Sequence, residues 1–325
     1  MHNHDDSGKS ALSRKREYDM LKIAFSTLAC PDWGWNDLLR YGPEFGYGGV
    51  EIRLLERETD LLKLPDFQPS QRPTRRRELS DAGFQICGLA SSVRFDYPEK
   101  NQRKEQLVIG RAYLDLAVEL DAGFVRVFGD VIPDADDPQI KRAVIENIVE
   151  GLNRLGDYAE QVGRRIVIET HGDFSDSQLM HDTLKGVQSK AVGVLWDTHH
   201  PWRFYGEELS ETFERLKPWI FHTHWKDSVS QPRQKQAESA QSAATAAHNL
   251  MSGHRHADYV LFGGGEFPAD ECLRLLEQAD YQGWYSLEWE KMWHPELADP
   301  LIALPLFPGK LKLLYGLMFP ESKVR

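Results

Sequence analysis

RRIVIETHGDFSDSQLMHDTLKGVQSKAVGVLWDTHH, residues 164–200, holds one complete structural unit and decides the fold. Its ends, RRIVIET (164–170) and AVGVLWD (191–197), are short runs of β-branched and apolar residues, which are typical of buried strands. Between them, SDSQLMHDTLKGV has a helical pattern and opens with Ser and Asp, residues that cap helices. Strand, helix and strand in this order predict a βαβ unit, in which the two strands are parallel.

The same unit repeats along the chain, with helical segments between further strand-like runs. These runs are KIAFST (22–27), GGVEIRL (48–54), FQICGLASS (84–92), FVRVFG (124–129), WIFHTHW (219–225) and WYSLEWE (284–290). With the two runs above, the sequence predicts eight strands alternating with helices. Eight such units in 325 residues favour a closed (β/α)8 barrel in a single domain over an open, doubly wound sheet.

Two segments depart from this repeat. Residues 1–20 are polar and have no apolar stretch, which predicts a disordered leader rather than a secretory signal before a barrel over 21–325. Residues 228–258 are rich in Ala, Ser and Gln, which predicts an insertion in the loop after the seventh strand. Because such loops lie at the catalytic face of a barrel, the insertion is either a mobile lid or a disordered excursion.

Composition excludes several classes of partner. The net charge of -11 argues against a nucleic acid partner, which needs a basic surface. The three cysteines, Cys30, Cys87 and Cys272, lie far apart, so a reducing, cytoplasmic compartment is expected rather than a disulfide framework or a thiolate metal site. No apolar run of the roughly 18 to 20 residues that span a bilayer is expected. The apolar tail beyond Trp293 packs either on the barrel or on a partner, which leaves a homo-oligomer open.

Four candidate ligands come at the ends of the last four predicted strands: Glu169, Asp197, His224 and Glu288. The first three are about one βα unit apart, and the longer gap before the fourth holds the insertion. A charge buried beside an apolar strand is costly unless it is compensated. Three carboxylates and one imidazole predict a single Mn²⁺, Mg²⁺ or Co²⁺ ion, with Zn²⁺ also compatible. The alternative is that each acid pairs with a neighbouring Lys or Arg.

Further histidines accompany these positions. His222 and His224 point the same way because side chains on a strand alternate with period two. We prefer His224 as the ligand because it lies nearer the strand end, and we expect His222 deeper in the barrel. His200, three residues past Asp197, is a candidate substrate contact, and His171 is a candidate substrate contact or supporting residue. The alternative for His171 and His200 is an exposed polar position in a loop.

At these residues the chain resembles the xylose isomerase-like TIM barrel superfamily, which contains the sugar phosphate isomerase/epimerase family. The resemblance covers residues 21–318 and is carried by GYGGVEIR (46–53), IVIETHG (166–172), WDTHH (196–200), HTHWKD (222–227), GGGEFP (263–268) and GWYSLEWE (283–290). It implies that one divalent metal is bound by Glu169, Asp197, His224 and Glu288. It also implies that the two glutamates act as acid and base, and that His200 contacts substrate. Lys226 either reaches the substrate or balances local carboxylates.

The resemblance implies a metal-dependent sugar isomerase or epimerase, which transfers a proton through an enediolate on a ketose or polyol-derived ketone. Dehydratases of inosose or dehydroshikimate share the superfamily and are the alternative, as is a non-catalytic sugar-binding barrel. The chain lacks the extra histidines of endonuclease IV and the second-metal acidic run of xylose isomerase. Gly263 to Gly265 suit a tight turn better than a phosphate site, which favours an unphosphorylated sugar or polyol.

Overall fold

The computed structural model describes residues 21–230 and 257–320, which contain a closed barrel of eight parallel strands. The strands are β1 (Ile23–Ser26), β2 (Gly49–Ile52), β3 (Gln85–Arg94), β4 (Phe124–Phe128), β5 (Arg165–Glu169), β6 (Val192–Asp197), β7 (Ile220–Trp225) and β8 (Tyr285–Leu287). Each strand pairs with its neighbours in the chain, and β8 closes the barrel against β1. The predicted single-domain (β/α)8 fold is confirmed.

Eight α-helices occur in the described ranges. They are α1 (Trp35–Glu44), α2 (Arg72–Asp81), α3 (Lys100–Leu120), α4 (Pro138–Val162), α5 (Ser177–Leu184), α6 (Leu209–Leu216), α7 (Ala269–Gln278) and α8 (Pro300–Met318). Local sequence explains their ends. In α4, the Asp137 side chain caps the first turn and Pro138 occupies it, while Gly163 ends the helix with a φ of 66°.

The barrel interior changes in character along the strands. Near the N-terminal ends of the strands, inward side chains form an apolar cluster, here called the basal layer: Ala24, Cys87, Phe124, Val167 and Leu195, with Phe221 and Trp284 packed against them. Towards the C-terminal ends, the inward positions carry charged and polar side chains that are equally buried. The three cysteines are buried and free, in agreement with the expectation of no disulfide.

A short antiparallel sheet follows β7. Asp227–Val229 pairs with Asp258–Val260, so the two ends of the predicted insertion at 228–258 lie side by side. Most of that insertion and the predicted leader at 1–20 fall outside the described residues. The choice between a lid and an excursion therefore stays a prediction.

Helix α8 corrects one expectation. It contains Pro305 and Pro308 and is not predicted by amphipathic spacing, yet it buries Leu304, Phe307 and Leu311 against the barrel. One face of the apolar tail thus packs on the barrel, while Leu306, Leu313 and Leu317 are exposed, so packing on a partner stays a prediction. The expectation that no run reaches the length of a membrane span is wrong, because the 19 residues of α8 are long and apolar enough to cross one. Core helices of soluble proteins share this length and composition, so α8 alone does not identify a membrane span.

Candidate metal centre

The four predicted ligands converge at the C-terminal mouth of the barrel. Glu169 ends β5, Asp197 ends β6, His224 lies in β7 and Glu288 directly follows β8. Each offers one donor atom, and these atoms all lie within 4.8 Å of one another. All four side chains are buried. Strand ends alone therefore bring together a donor set of a size and chemistry that suits one divalent ion.

The orientation of the His224 ring fits a metal ligand. Its Nε2 atom lies 2.8 Å from Oε2 of Glu51, and this hydrogen bond keeps the ring proton on Nε2. Its Nδ1 atom lies 3.3 Å from Glu288 Oε1 and 3.6 Å from Glu169 Oε1, and it has no hydrogen-bond partner within the described ranges. A ring nitrogen that faces two carboxylates, while a third carboxylate holds the opposite nitrogen, is the arrangement typical of metal-binding histidines.

Glu51 is a residue that the sequence analysis missed. It is fully buried in β2, and its Oε2 atom also lies 3.0 Å from His222 Nε2. His222 sits one layer deeper than His224, with its ring 4.6 Å from that of Phe124. The preference for His224 over His222 therefore agrees with the geometry. The signal that could have found Glu51 is a carboxylate inside the apolar Val-Glu-Ile run of β2, since a buried charge is costly unless it is paired.

Lys226 balances carboxylates, which is one of its two predicted roles. Its buried Nζ atom lies 2.8 Å from Asp197 Oδ2, 2.5 Å from Glu288 Oε2 and 2.6 Å from Glu290 Oε1. Its fourth neighbour is His200 Nε2, at 3.1 Å. Glu290 was also missed. It lies two residues past Glu288, and this spacing is the signal that could have placed both side chains on one face.

Two buried arginines also line the mouth, Arg126 in β4 and Arg53 directly after β2. Arg126 Nη1 is 3.2 Å from Glu169 Oε2, and its guanidinium lies 3.8 Å over the ring of Phe128. Arg53 donates a hydrogen bond to Ser92 Oγ at 2.9 Å. Burial and repulsion from Arg126 lower the pKa of Arg53 to about 10. The mouth thus holds two buried guanidinium groups in addition to the Lys226 ammonium and the carboxylates.

His200 and His171 are buried beside the cluster, so the alternative of exposed loop positions is wrong. His200 Nδ1 lies 3.0 Å from the carbonyl oxygen of Thr170, and its Nε2 atom lies 3.4 Å from Asp197 Oδ2. The His171 ring is 5.6 Å from that of His200, and its Nδ1 atom is 3.6 Å from Asp130 Oδ1. Both histidines are therefore close enough to the cluster to be considered as substrate contacts.

The electrostatics of the site favour charged forms despite burial. Burial lowers the pKa of His224, but the carboxylates of Glu288 and Glu51 outweigh it and hold this pKa well above its usual range. Burial likewise raises the pKa of Glu288, but His224 and Lys226 bring it well below the usual value. The site is therefore built to hold carboxylates ionised next to a cation.

The glycine-rich turn after the insertion serves an internal carboxylate. Asp227 Oδ2 accepts hydrogen bonds from the backbone N–H groups of Gly263 and Gly265, each at 2.9 Å. Its Oδ1 atom accepts from Ser228 at 2.9 Å and Phe267 at 3.0 Å. A Cβ atom at Gly265 would come within 2.2 Å of Asp227 Oδ1, which explains the glycine. These N–H groups are occupied, which agrees with a tight turn rather than a phosphate site.

Known proteins match this chain in sequence. Residues 39–303 match the model of the family described as xylose isomerase-like TIM barrel. Inosose dehydratase from Klebsiella pneumoniae is 26% identical over 296 residues, which are 87% of this chain and 93% of that protein. Inosose dehydratase from Bacillus thuringiensis is 30% identical over 155 residues, 47% of this chain and 49% of that protein. In such alignments the chain spans about half the length of its relative.

Solved structures share the barrel. The probable 3-DHS dehydratase AsbF from Bacillus anthracis has a TM-score of 0.69 at 17% identity, covering 90% of this chain and 98% of that one. A D-tagatose 3-epimerase-like protein has a TM-score of 0.69 at 17% identity, covering 93% and 100%. The IOLI protein, whose structure holds a zinc atom, has a TM-score of 0.68 at 16% identity, covering 93% and 100%. At these identities the likeness establishes the fold alone.

The family match and the geometry concern the same part of the molecule. The matched range, 39–303, contains all four residues of the candidate metal centre and Glu51 behind it. It also extends over most of the closed barrel. The chain belongs to the xylose isomerase-like TIM barrel family.

Proposed function

We propose that this protein is a metal-dependent dehydratase that acts on a ketone derived from a cyclic polyol. Similarity to an inosose dehydratase over 87% of the chain supports a cyclic polyol-derived ketone as substrate and loss of water as the reaction. Sugar isomerisation or epimerisation, which the sequence analysis ranks first, begins with the same proton removal. It is the second candidate, and it is supported by the pair of glutamates that flank the site.

The observation that carries the proton transfer, which both candidates share, is the position of these two glutamates; the similarity to an inosose dehydratase favours dehydration as its outcome. Glu288 and Glu169 approach His224 Nδ1 with one carboxylate oxygen each, at 3.3 Å and 3.6 Å. Their second oxygens have different partners, Lys226 for Glu288 and Arg126 for Glu169. The two carboxylates therefore belong to one site but differ in how firmly they are held.

The donor set would hold one divalent ion through Glu169, Asp197, His224 and Glu288. A bound ion of this kind polarises a ketone and stabilises the negative charge that forms when a proton leaves the neighbouring carbon. The mixture of oxygen and nitrogen donors suits Mn²⁺, Mg²⁺ or Co²⁺, and Zn²⁺ accepts it as well. The Nδ1 atom of His224, which faces carboxylate oxygens of both Glu288 and Glu169, is the feature of this chain that fits such an ion best.

We assign the role of base to Glu169. Its contact with Arg126 is 3.2 Å long, and Arg126 Nη1 forms no regular hydrogen bond with any described residue, so this carboxylate is free to turn towards a substrate carbon. Glu288 is held at 2.5 Å by Lys226 and is the partner on the other side. Glu169 takes the proton, and the electrons of the C–H bond form an enolate with the ketone. They return to make the C=C bond as the β-hydroxyl leaves, and Glu288 passes that hydroxyl a proton drawn from solvent so that it departs as water.

The substrate contacts belong to the same proposal. His200 and His171 lie on the outer side of the cluster, where a polyol hydroxyl would meet imidazole nitrogens. Lys226 lies between His200 and Glu288 and holds that carboxylate in place beside the substrate. An unphosphorylated substrate is consistent with the glycine turn, because its N–H groups are bound to Asp227.

The test combines a metal assay with incubation of the metal-loaded protein in D₂O, using inosose and a panel of ketoses. A product lighter by one water, absent from Glu169→Gln, supports dehydration. A product of unchanged skeleton that carries one solvent deuterium at carbon supports epimerisation or isomerisation instead. Ligand binding without exchange or turnover supports a sugar-binding barrel. Activity that survives complete removal of metal contradicts the proposed chemistry altogether.

A further inference from the structure

The Lys226 ammonium occupies a position that four buried donors would otherwise offer to an ion. Its Nζ atom lies 2.8 Å or less from an oxygen of Asp197, Glu288 and Glu290, and 3.1 Å from His200 Nε2. His200, Glu288 and Glu290 each offer one donor atom, and these three atoms lie within 4.8 Å of one another. Of these three residues, only Glu288 also belongs to the four-residue metal centre. The geometry is that of a cation site with a lysine in it.

The lysine meets more partners than it can serve by hydrogen bonding. An ammonium group has three N–H donors, and here it faces three carboxylates and an imidazole. Lys226 is only 1% exposed, and a lysine is almost never buried to this degree unless it is paired. Ion pairs with Asp197, Glu288 and Glu290 supply that pairing. The lysine is therefore an integral member of the buried cluster.

We propose that Asp197, Glu288, Glu290 and His200 form a second divalent-cation site, whose resident cation is the Lys226 ammonium. The lysine thereby keeps the metal centre at one ion per chain. This inference rests on the proposed function, because it assumes a first ion at the centre that contains Asp197 and Glu288. The two sites share those carboxylates, so two ions bound there would lie close together, and two-metal sites hold ions about 3.5 to 4 Å apart.

The reason for exclusion is electrostatic. A second ion would have to lie where the ammonium now lies, in contact with the same oxygens, and like charges at such distances repel strongly in a buried site. Without the lysine, Glu290 and the outer oxygens of Asp197 and Glu288 would lose their nearest cation. An uncompensated buried carboxylate is costly, and a second divalent ion is the available compensation.

The experiment counts metal ions rather than turnover. Wild type, Lys226→Ala and Lys226→Arg are saturated with Mn²⁺, freed of excess ion and analysed by mass spectrometry for metal per chain. Electron paramagnetic resonance of the same samples detects spin-coupled Mn²⁺ pairs. We expect one ion in wild type and in Lys226→Arg, and two coupled ions in Lys226→Ala. The double variant Lys226→Ala/Glu290→Gln should return to one ion, since the second site has lost a ligand.

The outcomes separate this inference from the proposed function. One ion in both wild type and Lys226→Ala overturns the inference and leaves the metal centre intact. Two ions in wild type also overturn it. Absence of metal from wild type contradicts the proposed function itself. If Lys226→Ala does not fold, Lys226→Gln replaces it, because its carboxamide oxygen is neutral and can itself serve as a ligand, and two ions are again expected.

Discussion

Replacing Glu51 with glutamine tests whether the metal centre depends on the carboxylate behind His224. Glu51 Oε2 lies 2.8 Å from Nε2 of His224 and 3.0 Å from Nε2 of His222, and the side chain is fully buried. Glutamine keeps the size of the side chain and an acceptor oxygen, but it removes the negative charge. The imidazole then becomes a weaker electron donor towards an ion at Nδ1.

The size of the effect follows from the hydrogen bond that changes. A hydrogen bond to a charged group contributes about 1.5 to 3 kcal/mol and a neutral one about 0.5 to 1.5 kcal/mol, so the change from Glu51 to Gln costs on the order of 1 kcal/mol or slightly more. At about 1.4 kcal/mol per factor of ten, metal binding weakens roughly five- to tenfold. Glu51→Ala removes the acceptor altogether and should approach the upper end of the roughly 10- to 100-fold range for such partners.

The assay is competition between the protein and a chelating indicator for Mn²⁺ or Zn²⁺, which yields the dissociation constant. Glu146→Gln is the matched control, because it removes the same charge from an exposed position on α4. Circular dichroism melts establish that each variant is folded. A folded Glu51→Gln protein with the dissociation constant of the control would refute the argument, since the carboxylate would then not act on His224.

Three further predictions concern proton transfer, pH and the glycine turn. Glu169→Gln and Glu288→Gln should each reduce kcat by about 10²- to 10⁴-fold because an amide cannot transfer the proton, with melting temperatures near that of wild type; an active variant would exclude that residue as acid or base. Metal affinity should rise with pH. Burial lowers the pKa of His224, but its carboxylate neighbours hold that pKa well above the usual range. The metal-free ring is therefore protonated near neutrality and must lose a proton to bind an ion. Calorimetry in buffers of different ionisation enthalpy counts that proton, and a count of zero contradicts the prediction. Asp227→Asn should lower the free energy of unfolding by about 1.5 to 3 kcal/mol, because its charged oxygens accept four backbone N–H groups. Urea unfolding measures this, and unchanged stability would assign the turn to other contacts.

The four-residue centre is predictable from the sequence for two reasons. The βα repeat places successive strand ends side by side, and an acid or histidine at the end of a buried apolar strand is costly unless a partner compensates it. In the structure, Asp197 and His224 are paired directly in register, and Ser286, two residues before Glu288, pairs with His224 on its other side. The positions of these residues in the sequence therefore predict that the ends of β6, β7 and β8 lie side by side.

Glu51 and Glu290 were missed because their roles depend on contacts between strands that are distant in sequence. Glu51 comes from β2, on the far side of the barrel from β5, and its link to His224 exists only once the barrel closes. Glu290 is visible in the sequence, but its role depends on Lys226 reaching it at 2.6 Å across β7 and β8. Helix α8 was missed because two internal prolines and an almost uniformly apolar composition hide the helical period.

The basal layer has a consequence for the kinds of molecule that the barrel can accept. Side chains such as Phe124 and Leu195 fill the N-terminal end, so within the described residues the metal centre is reached only from the mouth. A barrel filled at one end has no passage through which a polymer could thread, so we expect a small ring or the terminal unit of a chain to present its carbonyl there. Product must leave by the route through which substrate arrives. Product and substrate therefore compete for one form of the protein, and inhibition by product is expected to raise KM while leaving kcat unchanged.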